Sequence, residues 1–174
     1  ALRTLAVLDG DAGDLTLGID AEYTKTSDDV TLVDIRAGVE AYYNFSDPTA
    51  WYLNLGKRDP ADERVRADML VFTAEGYFML DATRVATGAR VGYEEDFSFG
   101  PLSVDFAAFI EGHVLVSWQP VHFSGEIELH GSIELSAFGI GASITANAAL
   151  GAEATDPFHV HGEVSVAIST PWPL

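Results

Sequence analysis

The sequence predicts an all-β fold: an antiparallel meander of about nine or ten long strands that forms a strongly curved sheet or a barrel, with at most one short helix. Three observations predict it. Apolar and polar residues alternate with a period of two over long stretches. Short links separate these stretches, and long strands joined by short links form antiparallel hairpins. Glycines recur on the apolar faces, and repeated glycine inside strands indicates bending.

The alternation is most regular in residues 101–174, which predict a four-stranded meander. The predicted strands are Leu102–Trp118, Phe123–Ala137, Ile140–Leu150 and Phe158–Thr170, with links at Gln119-Pro120, Phe138-Gly139 and Ala152–Pro157. At about 3.3 Å per residue, the first two strands each reach roughly 50 Å, well beyond the usual strand length. The segment Pro171-Trp172-Pro173 is expected to end strand pairing.

Residues 1–100 alternate less regularly but predict the same kind of structure. The predicted strands are Leu15–Tyr23, Thr31–Tyr43, Trp51–Leu55, Ala74–Leu80 and Val85–Tyr93, with an exposed turn at Ser27-Asp28-Asp29. The segment Asp59–Phe72 is predicted to be the one short helix, because its apolar residues recur at helical spacing. Asp59 can cap the first turn of this helix, and Pro60 suits its first position.

Composition limits the class of protein. A length of 174 residues favours one domain spanning 1–174, and 48% hydrophobic residues are enough for a core. The 27 acidic residues outnumber nine lysines and arginines, which gives a net charge of −18. This charge argues against nucleic acid as a partner and disfavours anionic membrane surfaces. The chain has no cysteine, and it has no apolar run long enough to predict a transmembrane helix.

One face of nearly every predicted strand carries no charged residue, and such a face needs a cover. The cover could be the interior of a barrel or sandwich, a neighbouring domain or subunit, or lipid. The leading hypothesis is a non-enzymatic structural β-module of a larger extracellular or surface-associated protein. It would associate with itself or with neighbouring β-modules through open sheet edges and its apolar face.

Two alternatives stay open. The first is a closed barrel that binds a hydrophobic ligand such as a lipid, and its cavity would be lined by Phe106, Ile110, Ile127, Ile133 and Val164. The second is an outer-membrane barrel, which the aromatic residues near the strand ends favour. Three observations argue against a membrane location. The long hairpin exceeds the roughly ten residues that a tilted membrane strand needs, Phe109 and Leu115 lie on the opposite face, and the sequence lacks a C-terminal aromatic strand end.

Several strand and turn signatures between Trp51 and Leu174 carry a family resemblance. They are Trp51-Tyr52-Leu53-Asn54-Leu55-Gly56, Gly76-Tyr77-Phe78-Met79-Leu80, Gly88-Ala89-Arg90-Val91-Gly92, Glu134–Gly141, and Pro157-Phe158-His159-Val160 with the ending Pro171-Trp172-Pro173. In this part of the chain the sequence resembles an uncharacterised family of very large bacterial proteins rich in repeated β-meanders. The resemblance implies a β-rich piece of a much longer polypeptide, which is consistent with a start at Ala1. It implies no activity, cofactor or catalytic residue.

Two groups of residues could bind a metal. Asp9, Asp11 and Asp14 alternate with glycines, as the oxygen ligands of calcium loops do. The helix-loop-helix calcium signature does not match, and Asx-rich turns also form without an ion. The second group lies on the polar faces of the predicted meander, where imidazoles and nearby glutamates could bind a transition metal; it comprises His113, His130, His159 and His161.

The sequence contains no recognisable catalytic motif. It has no Gly-x-Ser-x-Gly elbow, no phosphate-binding glycine loop and no zinc-protease helix. Its many carboxylates include no pair that an apolar pocket sets apart. The sequence therefore predicts a protein that is not an enzyme and that needs no cofactor, with calcium at Asp9, Asp11 and Asp14 as the leading candidate for a bound ion.

Overall fold

The computed structural model describes residues 1–138, 140–154 and 157–170, which form one antiparallel sheet of eleven strands. The strands are β1 (Leu2–Asp9), β2 (Asp14–Ser27), β3 (Val30–Asn44), β4 (Trp51–Leu55), β5 (Val65–Met69), β6 (Phe72–Asp81), β7 (Arg84–Phe99), β8 (Leu102–Trp118), β9 (Val121–Ala137), β10 (Ile140–Ala154) and β11 (His159–Ser169). The predicted all-β antiparallel meander is confirmed. The described part of the chain contains no helix that is long and apolar enough to cross a membrane.

The strands follow chain order across the sheet, except that β4 and β5 share one position. Both lie between β3 and β6, where β4 pairs with Val39–Tyr43 and β5 pairs with Asp34–Arg36. They are therefore two halves of one interrupted strand, and the sheet has ten positions. Residues 56–64, named here the inner segment, connect the two halves.

The predicted helix at Asp59–Phe72 is wrong. Only Ala61–Glu63 forms a single 3-10 turn, and Val65–Met69 is a strand. The helical spacing was outweighed by a period of two in the same residues. Val65, Ala67 and Met69 share the apolar side of the sheet, whereas Arg66 and Asp68 share the polar side. Pairing with strands on both sides supplies the backbone hydrogen bonds that a helix would have made within itself.

Most predicted strands and links agree with the structure. The turn after Ser27 places Asp28 and Asp29 at φ values of 50° and 63°, as expected for a two-residue hairpin link. Residues 119 and 120 link β8 and β9, as predicted. Strand β1 was not predicted, although it pairs with β2 along its whole length. The expected stop at Pro171-Trp172-Pro173 lies outside the described residues.

Strand register gives the sheet two chemically different faces. The outer face is defined by the even-numbered residues of β8 from Val104 to Trp118 and by the residues that pair with them. The inner face is defined by the odd-numbered residues from Ser103 to Ser117 and their partners. Each face continues in register through neighbouring strands from β1 to β11.

The sheet curves toward its inner face. Tyr77 in β6 and His113 in β8 both pair with Gly88 in β7, so two strand spacings, about 9.6 Å, separate their backbones. Their side chains nevertheless meet over Gly88 with a hydrogen bond of 2.9 Å. Along β8 and β9 the inner residues are mostly half-buried and most of their outer neighbours are exposed, as a concave inner side requires.

Candidate functional site

The outer face is uncharged and exposed. Ile127 and Leu129 are about half exposed, and Val164 is 79% exposed. In the described strands, charged residues reach this face only at Lys25 and Glu95, which lie close to one end of the sheet. Monomeric soluble proteins seldom expose a continuous apolar surface of this extent, so such a surface indicates an interaction.

Aromatic residues border the outer face at both ends of the sheet. The first rim lies at the end that carries the β3–β4 and β8–β9 links, and it consists of Tyr43, Trp51, Trp118 and Phe123. The second rim lies toward the opposite end, and it consists of Tyr23, Phe72, Tyr93, Phe97 and Phe106. Within the second rim, the rings of Phe72 and Tyr93 lie 5.3 Å apart. Of the two charged residues of the outer face, Lys25 lies beyond Tyr23, whereas Glu95 lies within this rim and pairs with Phe106.

The rims enclose an apolar band of defined height. Trp118 lies level with the start of β7, because its indole nitrogen donates to the carbonyl of Ala82 at 2.6 Å. From that level to Tyr93, β7 covers about ten residues, the length of a strand that crosses a bilayer at a tilt of about 45°. With that tilt the band is about 25 Å high.

Five side chains converge at the centre of the inner face, and this group is named the Arg64 cluster: Arg64, Glu75, Tyr77, Glu111 and His113. Arg64 pairs with Glu111 at 2.8 Å and with Glu75 at 3.5 Å, and all three side chains are only 11% exposed. Glu111 also accepts from His113 at 2.9 Å. These contacts anchor the end of the inner segment to the adjacent strand β6 and to β8, which is three positions away in the sheet.

Tyr77 is the most buried apolar side chain of the described residues, at 5% exposure. Arg64 covers its ring at 5.9 Å, and its hydroxyl is hydrogen-bonded to Nδ1 of His113. Burial raises the pKa of Tyr77 above its usual range. The hydroxyl is therefore a neutral partner for the imidazole, and the pair stabilises the curve of the sheet.

The start of the inner segment is held by a second group of polar contacts. Lys57 pairs with Glu63 at 2.8 Å and with Glu40 at 3.4 Å, and the hydrogen bond to Glu63 is the main cause of a raised pKa of Lys57. Glu40 also accepts a 2.6 Å hydrogen bond from Tyr52. Burial, together with this hydrogen bond, raises the pKa of Tyr52 to about 12. The inner segment is thus fastened at both ends.

Beside the inner segment lies an open groove of about 620 Å³ on the inner face of β1 to β4. Its charged lining is mixed and includes Arg3, Asp20, Glu22, Arg36, Glu40 and Lys57. All nine lysines and arginines of the chain precede residue 91. The inner face is therefore mixed in charge from β1 to β7 and purely acidic from β8 to β11.

The three aspartates predicted as calcium ligands lie at the β1–β2 turn, where Asp9 ends β1, Asp11 is in the link and Asp14 begins β2. Asp9 accepts hydrogen bonds from the backbone N–H groups of Asp11 and Ala12 at 3.0 Å and 2.9 Å, an Asx turn. Asp14 accepts from the hydroxyl of Tyr42 at 3.3 Å. Across residues 1–138, 140–154 and 157–170, no three His, Asp or Glu side chains are grouped so that they could hold a metal ion.

The predicted polar-face histidines all lie on the inner face. His113 belongs to the Arg64 cluster, whereas His130 stacks on Phe109 at 4.9 Å and contacts Asn147. His161 lies directly over Gly151. Within the described residues, these histidines therefore lie in separate contacts and do not form one metal-binding group.

The residues predicted to line a ligand cavity, Phe106, Ile110, Ile127, Ile133 and Val164, lie on the outer face instead. All except Phe106 are exposed. The sequence pattern identified their shared face correctly. It could not indicate the direction of curvature, which turns this face outward.

Sequence reasoning did not identify the Arg64 cluster. Its members come from the inner segment, β6 and β8, and Arg64 and Glu111 are 47 residues apart. One signal of the cluster was present in the sequence: a glycine, Gly88, stands within β7 at the position where the side chains of Tyr77 and His113 from the two neighbouring strands meet.

The fold and this site define an all-β sheet with charged groups on its concave side and an uncharged band, bordered by aromatic residues, on its convex side. In comparisons with protein-family models, curated proteins and solved structures, no match was found.

Proposed function

We propose that this protein is a non-enzymatic, wall-forming β-sheet whose outer face contacts the hydrocarbon of a lipid bilayer and whose inner face contacts water. One observation carries the proposal: the sheet curves with its charged face inside and its uncharged face outside. A curved sheet that folds in water normally has the opposite polarity, since its concave side is the side it can cover by itself.

Lipid suits the outer face better than water does. Complete transfer of an aliphatic side chain to an apolar environment contributes about 1.5–3 kcal/mol, and Ile127 and Val164 would gain the share that matches their exposed fractions of 50% and 79%. Each strand between β1 and β11 pairs with a neighbour on each side, as hydrocarbon requires, except where strand ends such as residues 24–27 of β2 and 95–99 of β7 extend past a shorter neighbour. The rims place tyrosine and tryptophan where the hydrocarbon meets the headgroups.

Aromatic residues on the inner face have polar partners. Arg90 lies 4.0 Å above the ring of Phe109, and His130 stacks against the same ring. Tyr42 stacks on Tyr52 at 5.3 Å, and both hydroxyls are hydrogen-bonded to carboxylates. Polar partners of this kind allow these aromatic residues to lie on a face that contacts water.

A second candidate is a structural β-module that stacks on neighbouring β-structure of a larger assembly. The observation that favours it is strand length, because β7 to β10 have 15 to 17 residues and extend beyond the second rim. Phe99 at the end of β7 and Phe138 in the link after β9 are 68% and 83% exposed. This candidate predicts higher oligomers in water without lipid, and a clean monomer at micromolar concentration would rule it out.

Tryptophan fluorescence in lipid vesicles tests the membrane proposal. Trp51 and Trp118 belong to the first rim, and Trp172 is removed as Trp172→Phe because it lies outside the described residues. We expect the protein to float with phosphatidylcholine vesicles in a density gradient. Lipids brominated near the headgroup end of the acyl chain should quench the emission more than lipids brominated at the chain terminus.

Two results would contradict the membrane proposal. One is a protein that stays at the bottom of the gradient in the presence of vesicles. The other is an emission that brominated lipids leave unchanged while the protein keeps its β-sheet circular dichroism spectrum. The same protein in urea serves as the unfolded control.

A further inference from the structure

The two edge strands, β1 (Leu2–Asp9) and β11 (His159–Ser169), are the ends of the strand order. In the described residues, each pairs with a neighbour on one side only, β1 with β2 and β11 with β10. Every residue of both strands is exposed. Within the part of the chain that the structure describes, each edge therefore presents a row of backbone N–H and C=O groups without a strand partner.

Neither edge is bulged or interrupted by proline or lysine, and the charged residues of the two edges are Arg3 and Asp9 in β1 and Glu163 in β11. Natural edge strands are short, bulged, or interrupted by proline or lysine. Strand β11 has eleven residues without proline, lysine or arginine, and Val164 and Val166 at its centre are 79% and 65% exposed. Strand β1 exposes Leu2 and Leu8 on its outer face and Leu5 on its inner face.

The two edges are complementary in direction and both are uncharged on the outer face, although β1 also has Leu5 and Val7 on its inner face. Neighbouring strands alternate in direction over ten positions, so β1 and β11 run in opposite directions. Apolar residues alternate with other residues along β11, as they do along the strands inside the sheet. A β1–β11 seam would therefore continue both the antiparallel hydrogen bonding and the division into an inner and an outer face.

We propose that two copies of this chain join edge to edge, β1 of each against β11 of the other, and close one ring with two identical seams. The inference rests on the proposed function, because in hydrocarbon an open edge costs several kcal/mol for each unpaired backbone group. A twofold axis along the centre of the ring makes the two seams equivalent, which is the commonest symmetry of protein dimers.

Disulfide crosslinking tests the seam directly, because the chain has no cysteine of its own. Thr4→Cys in β1 and Val166→Cys in β11 are made as separate single variants, with Leu2→Cys and Val164→Cys to sample other registers. The variants carry tags of different size and are mixed in phosphatidylcholine vesicles before mild oxidation. We expect crosslinks between a β1 variant and a β11 variant, and none between two copies of one variant.

A mid-sheet control and a mass measurement complete the test. Thr87→Cys lies on the outer face of β7, between two paired strands, and should not crosslink with either edge. Light scattering in detergent should give twice the chain mass of 18.7 kDa. Crosslinks between two β1 variants, crosslinks only within a chain that carries both cysteines, or a monomer mass would each overturn the inference.

Vesicle flotation separates this inference from the proposed function. If the chain floats with lipid and its rim tryptophans are quenched, but no intermolecular seam forms, the dimer is wrong and the lipid-facing wall stands. If the chain does not float, the proposed function fails and the dimer fails with it.

Discussion

At the scale of single residues, glycines have different roles on the two faces. Gly88 lies on the inner face, where the side chains of Tyr77 and His113 meet above it. Gly131 lies on the outer face, and a Cβ added there would have no atom within 4 Å. The contrast shows that the inner face is packed and the outer face is open.

Gly88→Ala should destabilise the fold, whereas Gly131→Ala should not. A Cβ at Gly88 would come within 2.6 Å of Cε1 of Tyr77 and 2.9 Å of the carbonyl oxygen of Gly112, and it would also collide with the imidazole of His113. Overpacking of this kind costs about 1–3 kcal/mol. Gly131→Ala should be neutral or slightly stabilising, because glycine is the weaker residue inside a strand. Urea unfolding of both variants measures the difference, and equal stabilities would contradict the packed inner face.

Residue patterns predicted which side chains share a face, since alternation along a strand is a local property. They could not predict which face lies inside. Ile127 and Glu128 have the same alternation whether the sheet curves one way or the other. The Arg64 cluster was also beyond a local pattern, because its residues meet only after four positions of the sheet have formed.

At the scale of elements, the interrupted strand is the main irregularity of the meander. Strands β4 and β5 keep one position in the sheet, and the inner segment leaves that position between them to cross the inner face. The local sequence of Asp59–Phe72 allowed a helix, but two neighbouring strands offered β5 a full set of partners. Tertiary pairing of this kind regularly overrides local propensity.

Arg64→Gln should loosen the inner segment without unfolding the sheet. Removing the guanidinium leaves Glu111 without its arginine and Glu75 with only the more exposed Arg66, on a face where both carboxylates are largely buried. We expect a loss of about 1–3 kcal/mol in the free energy of unfolding, with faster amide exchange in residues 56–64. Denaturant unfolding and hydrogen exchange by mass spectrometry measure the two effects.

The matched control for Arg64→Gln is Arg66→Gln. Arg66 also pairs with Glu75, at 3.1 Å, but its side chain is 48% exposed. Pairs in such exposed positions contribute at most about 1 kcal/mol. Equal exchange rates in the inner segment of the two variants would show that Arg64 is not its anchor.

At the scale of the whole molecule, polarity and curvature have to be explained together. The charged inner face has a mixed half and an acidic half, and the outer face has an uncharged band between two aromatic rims. Water contact on the concave side and lipid contact on the convex side account for both features. A soluble monomer accounts for neither, because its largest apolar surface would lie on the side that it cannot cover.

Ile127→Arg should separate a lipid-facing sheet from a sheet in water. Ile127 lies midway between the rims on the outer face and is 50% exposed, so in a bilayer its side chain would be near the midplane. An arginine there costs about 2–4 kcal/mol in a membrane sheet, whereas an arginine on an exposed surface in water costs little.

Glu128→Arg introduces the same side chain one residue later on the inner face and is the matched control. We expect Ile127→Arg to reduce flotation with vesicles about 30-fold or more, by the equivalence of 1.4 kcal/mol to a factor of ten, while Glu128→Arg floats as the parent protein does. Equal flotation of the two variants would mean that something other than hydrocarbon covers the outer face.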